Sequence, residues 1–163
     1  MSTAQKNSHA FMPASTADPH LLRPWVLLCL ALALHITEEA TTGFLSVYNS
    51  TVTALRHSLP WIFLPVFEFH AWLTGLIVAN AILLFLSPLV VRGVHWIRPI
   101  AYAFALIMFA NGIGHILGTV FDRTVASVRF PRPMPGFYSS PLLLVSSVYL
   151  FIQLRRHSPK LES

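Results

Sequence analysis

Acidic side chains are scarce in this chain. Only six of its 163 residues carry one, namely Asp18, Glu38, Glu39, Glu68, Asp122 and Glu162. Charged residues of both signs make up 10% of the sequence against 55% apolar, with a mean hydropathy of +0.63. So little charge excludes an ordinary soluble domain, in which about a quarter of residues are charged. Several apolar runs instead approach the roughly 20 residues that span a bilayer. The single cysteine, Cys29, excludes an intramolecular disulfide. There is no internal repeat and no low-complexity segment. The chain is basic, with net charge +5, but its arginines are scattered at the ends of apolar runs. That distribution excludes a nucleic-acid partner and fits a membrane protein. The length fits one compact unit.

Residues 1–22 are polar and small, with Pro13 and Pro19, and are expected to form a disordered tail. The apolar run that follows has no small-residue cleavage site, so it reads as a transmembrane helix over about 24–46 and not as a signal peptide. Residues 47–64 read as a connecting loop with an interfacial piece, Tyr48 and Trp61 suiting the headgroup level. A second span is expected over about 65–91, with Pro65 in its first turn and Pro88 kinking its end. A short basic loop, 92–98, leads to a third span over about 99–120. A link rich in Arg and Pro then precedes a fourth span, about 138–155, closed by Arg155 and Arg156. The expected fold is all-α, an integral membrane four-helix bundle over 23–156 with a disordered N-terminal tail and a short tail at 157–163. Four spans place both termini and the 92–98 loop on one side. That side gathers more Lys and Arg, so the termini are expected to be cytoplasmic, at a bacterial inner membrane.

Within the first span stands His35-Ile36-Thr37-Glu38-Glu39. Ionisable groups cost several kcal/mol in a membrane interior, so they are functional candidates by default, about 3 kcal/mol each even on lenient insertion scales. His35 lies three and four residues before Glu38 and Glu39, which puts all three on one helical face. On the third span Asn111 and His115 share a face by the same rule. His35 is eleven residues past Pro24 and Asn111 twelve past Pro99. The first and third spans run in parallel, so the two residues fall at nearly equal depth. Glu68 and His70 enter the second span at the same end, and the turn holding Tyr138 lies there too. Polar groups gathered at one level argue for one site. Its His and Glu residues form a mixed nitrogen and oxygen donor set that suits zinc, iron or manganese. His35, Glu39, His115 and His70 are the candidate ligands, and Glu38, Glu39 and Glu68 the candidate catalytic carboxylates. Asn111 and Tyr138 are candidates to hydrogen-bond substrate or ligands. A purely structural role for the carboxylates, paired with an arginine of another helix, is the competing reading.

His35-Ile36-Thr37-Glu38-Glu39, then Asn111-Gly112-Ile113-Gly114-His115, then Pro135-Gly136-Phe137-Tyr138-Ser139-Ser140 resemble, in order and spacing, the HXXEE-domain family of small bacterial membrane proteins. The resemblance covers about residues 25–155. It implies a multi-helix membrane fold and assigns no reaction. Three functions follow from the residues themselves. The leading one is a metalloenzyme, of hydrolase or oxidoreductase type, acting on a lipophilic small molecule. The second is metal-free acid–base catalysis, such as isomerisation or cyclisation of an isoprenoid-like substrate. The third is a proton-coupled carrier or binding protein, which with four spans would need to form a homo-oligomer.

Overall fold

The structure is a computed structural model that describes residues 19–156 apart from Ala126 and Pro131. The tails expected at 1–18 and 157–163 lie outside the described residues. Helices α1 (Pro19–Thr42), α2 (Phe44–Ser58), α3 (Phe69–Phe85), α4 (Ser87–Val91), α5 (Ile97–Phe121) and α6 (Ser140–Arg156) carry most of the chain. Between α5 and α6, strands β1 (Arg123–Val125) and β2 (Val128–Arg129) form a small antiparallel hairpin. The fold is thus helical, as expected, apart from this hairpin. Among the described residues, three segments are long and apolar enough to cross a membrane: His20–Thr42, Phe69–Val91 and Ile97–Phe121.

Several boundaries differ from the sequence reading, each for a local reason. Residues 19–22, expected in the tail, form the first turn of α1. α1 then stops at Thr42, because Gly43 adopts the left-handed conformation at φ 80° that favours glycine. The chain restarts at once as α2, so residues 47–58 are helix where a loop was expected. α2 buries Leu45, Val47 and Val52, apolar positions at helical spacing set among the Ser, Thr and Asn that gave the stretch its loop-like composition. Pro65 does not open a helix. α3 begins at Phe69, after Glu68 accepts a hydrogen bond from the Ala71 amide as N-cap. Pro88 separates α3 from α4, since its ring cannot continue the hydrogen-bond ladder.

α6 packs against both α1 and α5, and α3 and α4 pack against α1. The core is built from Trp25, Leu28 and Leu32 of α1, Phe104 and Ala105 of α5, and Leu143, Leu150 and Leu154 of α6. Trp25 lies edge-on to Phe104 at 5.4 Å, and its indole N–H donates to the Leu83 carbonyl at 3.0 Å, tying α1 to α3. Serines buried in α6 satisfy their hydroxyls within the chain, as Ser147 does by donating to the Leu143 carbonyl. Outside, Ile77, Val78, Ile82 and Phe85 of α3, Leu106 and Ile107 of α5, and Val145 of α6 are exposed. An apolar exterior of this extent suits lipid.

Candidate functional site

The site forms where α1, α5 and the turn into α6 meet. His35 and Glu39 stand one helical turn apart on α1, and Asn111 and His115 one turn apart on α5, so each helix offers two groups on one face. His35, Glu39 and His115 are buried, with at most 5% of any residue exposed. His115 Nε2 lies 3.1 Å and His35 Nε2 3.4 Å from the same carboxylate oxygen, Glu39 Oε1. The two imidazole rings are 4.7 Å apart and nearly perpendicular, at 81°. Asn111 Nδ2 donates to His35 Nε2 at 3.1 Å, which places the His35 hydrogen on Nδ1, where it is donated to Ser139 Oγ at 2.8 Å. The one lone pair of His35 Nε2 is then occupied by Asn111, with the Glu39 carboxylate 3.4 Å away. A metal ion at His35 Nε2 would take the lone pair that Asn111 now holds.

The donor atoms of His35, Glu39 and His115 all lie within 4.8 Å of one another. Zinc bonds to His nitrogen and carboxylate oxygen at about 2.0–2.2 Å, which sets tetrahedral ligand edges of about 3.3–3.6 Å. The two histidine–carboxylate separations lie close to that range. His35, Glu39 and His115 could therefore hold a metal ion between them. Ser139 stands where a metal-binding imidazole needs a partner for its other nitrogen. His115 Nδ1 is buried without a hydrogen-bond partner among the described residues.

The neighbouring carboxylate does something else. Glu38 takes the backbone N–H of Tyr138 on Oε1 at 2.9 Å and that of Ser139 on Oε2 at 2.7 Å. It clamps the turn that begins at Pro135, and the turn closes over the imidazoles. Gly136 sits there at φ 89°. A β-carbon at Gly136 would come within 2.6 Å of His115 Cε1 and 2.9 Å of His35 Cε1, so both backbone shape and space demand glycine.

Five of the eight residues singled out from sequence therefore meet here: His35, Glu38, Glu39, Asn111 and His115. Glu68 and His70 do not join them. Both are exposed at the start of α3, where Glu68 caps the helix. The α3 face turned toward Glu39 carries Trp72 and Gly75, and His70, two residues before Trp72, points roughly the opposite way. Tyr138 contributes its amide, while its side chain is 73% exposed. Ser139, Gly136 and Phe44 escaped the sequence reading. The first two stand in the Pro-Gly stretch already quoted, where a small hydroxyl next to a glycine turn was the available signal. Phe44, whose ring is 5.1 Å from that of His115, had none.

Two cavities flank the cluster. One, of about 430 Å³, reaches Glu39 and Asn111 and is walled by Tyr48, Phe67 and Trp72. The other, of about 480 Å³, reaches Asn111 and His115 and extends to Arg123 and Thr124. Phe44 and Asn111 border both. Compared with protein-family models, curated proteins and solved structures, the chain matches none.

Proposed function

We propose that the chain is an integral membrane metalloenzyme of the HXXEE type that acts on a lipophilic small molecule, by hydrolytic or oxidoreductive chemistry. In this reading α6 is the fourth span, and at 17 residues it reaches about 26 Å, near the thickness of the hydrocarbon core. The observation that carries the proposal is the convergence of His35, Glu39 and His115 inside a shell of apolar helices. A buried charge kept without compensation is costly there, and a divalent cation compensates all three donors. His35, Glu39 and His115 would hold zinc, iron or manganese. A bound divalent metal supplies Lewis acidity toward an oxygen of the substrate.

The remaining residues have roles of their own. Ser139 fixes the ring orientation of His35, whose Nε2 lone pair would pass from Asn111 to the metal. Glu38 holds the turn that carries Ser139. Asn111, open to both cavities, offers its amide to a polar group of the substrate. Phe44 separates the cavities and keeps water from the His115 ring. Glu39 is thereby a ligand, and Glu68 has only its capping role.

The acid–base reading has one observation in its favour. Glu39 Oε1 and His115 Nε2 are already within hydrogen-bond distance at 3.1 Å, so a proton could pass between them without a metal. Cobalt(II) titration of the detergent-purified protein separates the two. The metalloenzyme reading expects a saturable visible absorption band of low-coordinate cobalt, absent from Glu39→Ala. A flat titration of well-folded wild-type protein would favour the acid–base reading.

A further inference from the structure

The larger cavity beside the cluster carries polar groups at both ends and apolar side chains between them. Along α5 it runs from Ala110 to Phe121, eleven residues, or about 16 Å at the helical rise. Its floor is open at Gly114, where an added β-carbon would meet nothing within 4 Å. Leu117 and Phe121 line its middle, while Asn111 and His115 stand toward the Ala110 end. At the far end stand Arg123 and Thr124 of the hairpin. The hairpin is held over this end by a hydrogen bond between the Thr124 and Thr51 hydroxyls.

The charges on the hairpin are arranged in an unusual way. Arg123 and Arg129 lie directly opposite each other across the two strands, a like-charge pair that is unfavourable by itself. The nearby Asp122 is engaged by Arg132 at 3.3 Å. Among the described residues no carboxylate lies within ion-pair distance of Arg123 or Arg129. An anion between two guanidinium groups turns the repulsion into two charge-assisted contacts. A cavity whose apolar middle at Leu117 and Phe121 leads to Arg123, with Arg129 across the hairpin beyond the lining, complements the head and adjoining chain of an amphiphile.

We propose that this cavity binds an amphiphile with an anionic head, a phosphate or carboxylate, on Arg123 with Arg129 opposite it, its acyl or alkyl chain lying along α5 over Phe121 and Leu117 as far as His115 and Asn111. The inference rests on the proposed metal centre for its catalytic meaning, since it makes this molecule the substrate. The binding itself does not depend on the metal. Arg123 stands eight residues beyond His115, so the part of the ligand facing the cluster lies within about 12 Å of the head group.

The test is equilibrium binding of radiolabelled dodecyl phosphate to the full chain in uncharged detergent micelles, corrected for empty micelles, with metal content measured on the same samples. One saturable site per chain is expected. Dodecanol and dodecyltrimethylammonium should compete at least about tenfold less well, as should Arg123→Gln protein bind, because a lost charge-assisted contact is worth roughly a factor of ten or more. Arg123→Lys should retain most of the affinity. Gly114→Leu should fill the channel and abolish binding, while Gly114→Ala, whose methyl has room, should keep both fold and binding. Inorganic phosphate should fail to compete, which separates an amphiphile from a free anion. Equal binding of dodecyl phosphate and dodecanol, indifference to Arg123→Gln, or full displacement by inorganic phosphate would each overturn the inference. Loss of stoichiometric metal with dodecyl phosphate binding intact would overturn the metalloenzyme reading alone and leave the amphiphile site standing.

Discussion

At Glu39 one carboxylate oxygen lies 3.1 Å from the His115 imidazole and 3.4 Å from that of His35. Its neighbour Glu38 gives both of its oxygens to backbone amides. The two glutamates should therefore respond differently to the same change. Glu39→Gln should remove bound metal, since an amide is a weak ligand. Glu38→Gln should keep metal but lower stability by about 1–3 kcal/mol, because one buried amide loses its acceptor. Metal analysis beside thermal unfolding in detergent checks both; equal metal loss in the two variants would contradict the division. Gly136→Ala should be destabilising by more than about 1 kcal/mol, from the positive φ and the contact with both imidazoles together, and a melting temperature equal to wild type would contradict that contact. The sequence could place both glutamates on the face of His35 but could not choose between them. They differ by about 100° around the helix, and the choice is made by where α5 and the Pro135 turn pack, which is tertiary information.

Among the elements, α3 tests how far polarity alone marks a site. Glu68 and His70 are polar groups at the expected end of an apolar helix, yet the face of α3 that packs toward the cluster is set by Trp72 and Gly75. His70→Ala should leave metal content unchanged. Glu68→Ala should cost about 1 kcal/mol through the lost cap, also without metal loss. Loss of metal from either variant would show that α3 rotates its start into the site. The three long apolar segments were legible in the sequence because long apolar runs leave few alternatives. α2 was not, because Ser, Thr and Asn dominate its composition and only Leu45, Val47 and Val52 reveal a buried face. The hairpin was also missed. Its two strands hold five residues, too few for an alternation to show, and prolines follow directly.

Across the whole molecule an apolar exterior surrounds an apolar core that holds one buried His/Glu cluster. Arg92, Arg155 and Arg156 lie at the end away from the site, and the proposed topology puts that end in the cytoplasm. A reporter fused after Arg156 should be active only in its cytoplasmic form, and activity confined to the outside would reverse the orientation and move the site to the inner half. The equal depth of His35 and Asn111, read from the spacing to Pro24 and Pro99, is realised as a 3.1 Å hydrogen bond, because parallel helices of constant rise keep register over three turns. The central claim is that His35, Glu39 and His115 form one metal centre. It is tested most directly by elemental analysis of detergent-purified protein made without a polyhistidine tag, incubated with zinc, iron(II) or manganese and freed of excess ion. The account predicts one equivalent of one of these metals per wild-type chain, and nearly none in His35→Ala, Glu39→Gln and His115→Ala that retain wild-type helicity. Wild-type protein without stoichiometric metal, or variants that keep it, would contradict the claim.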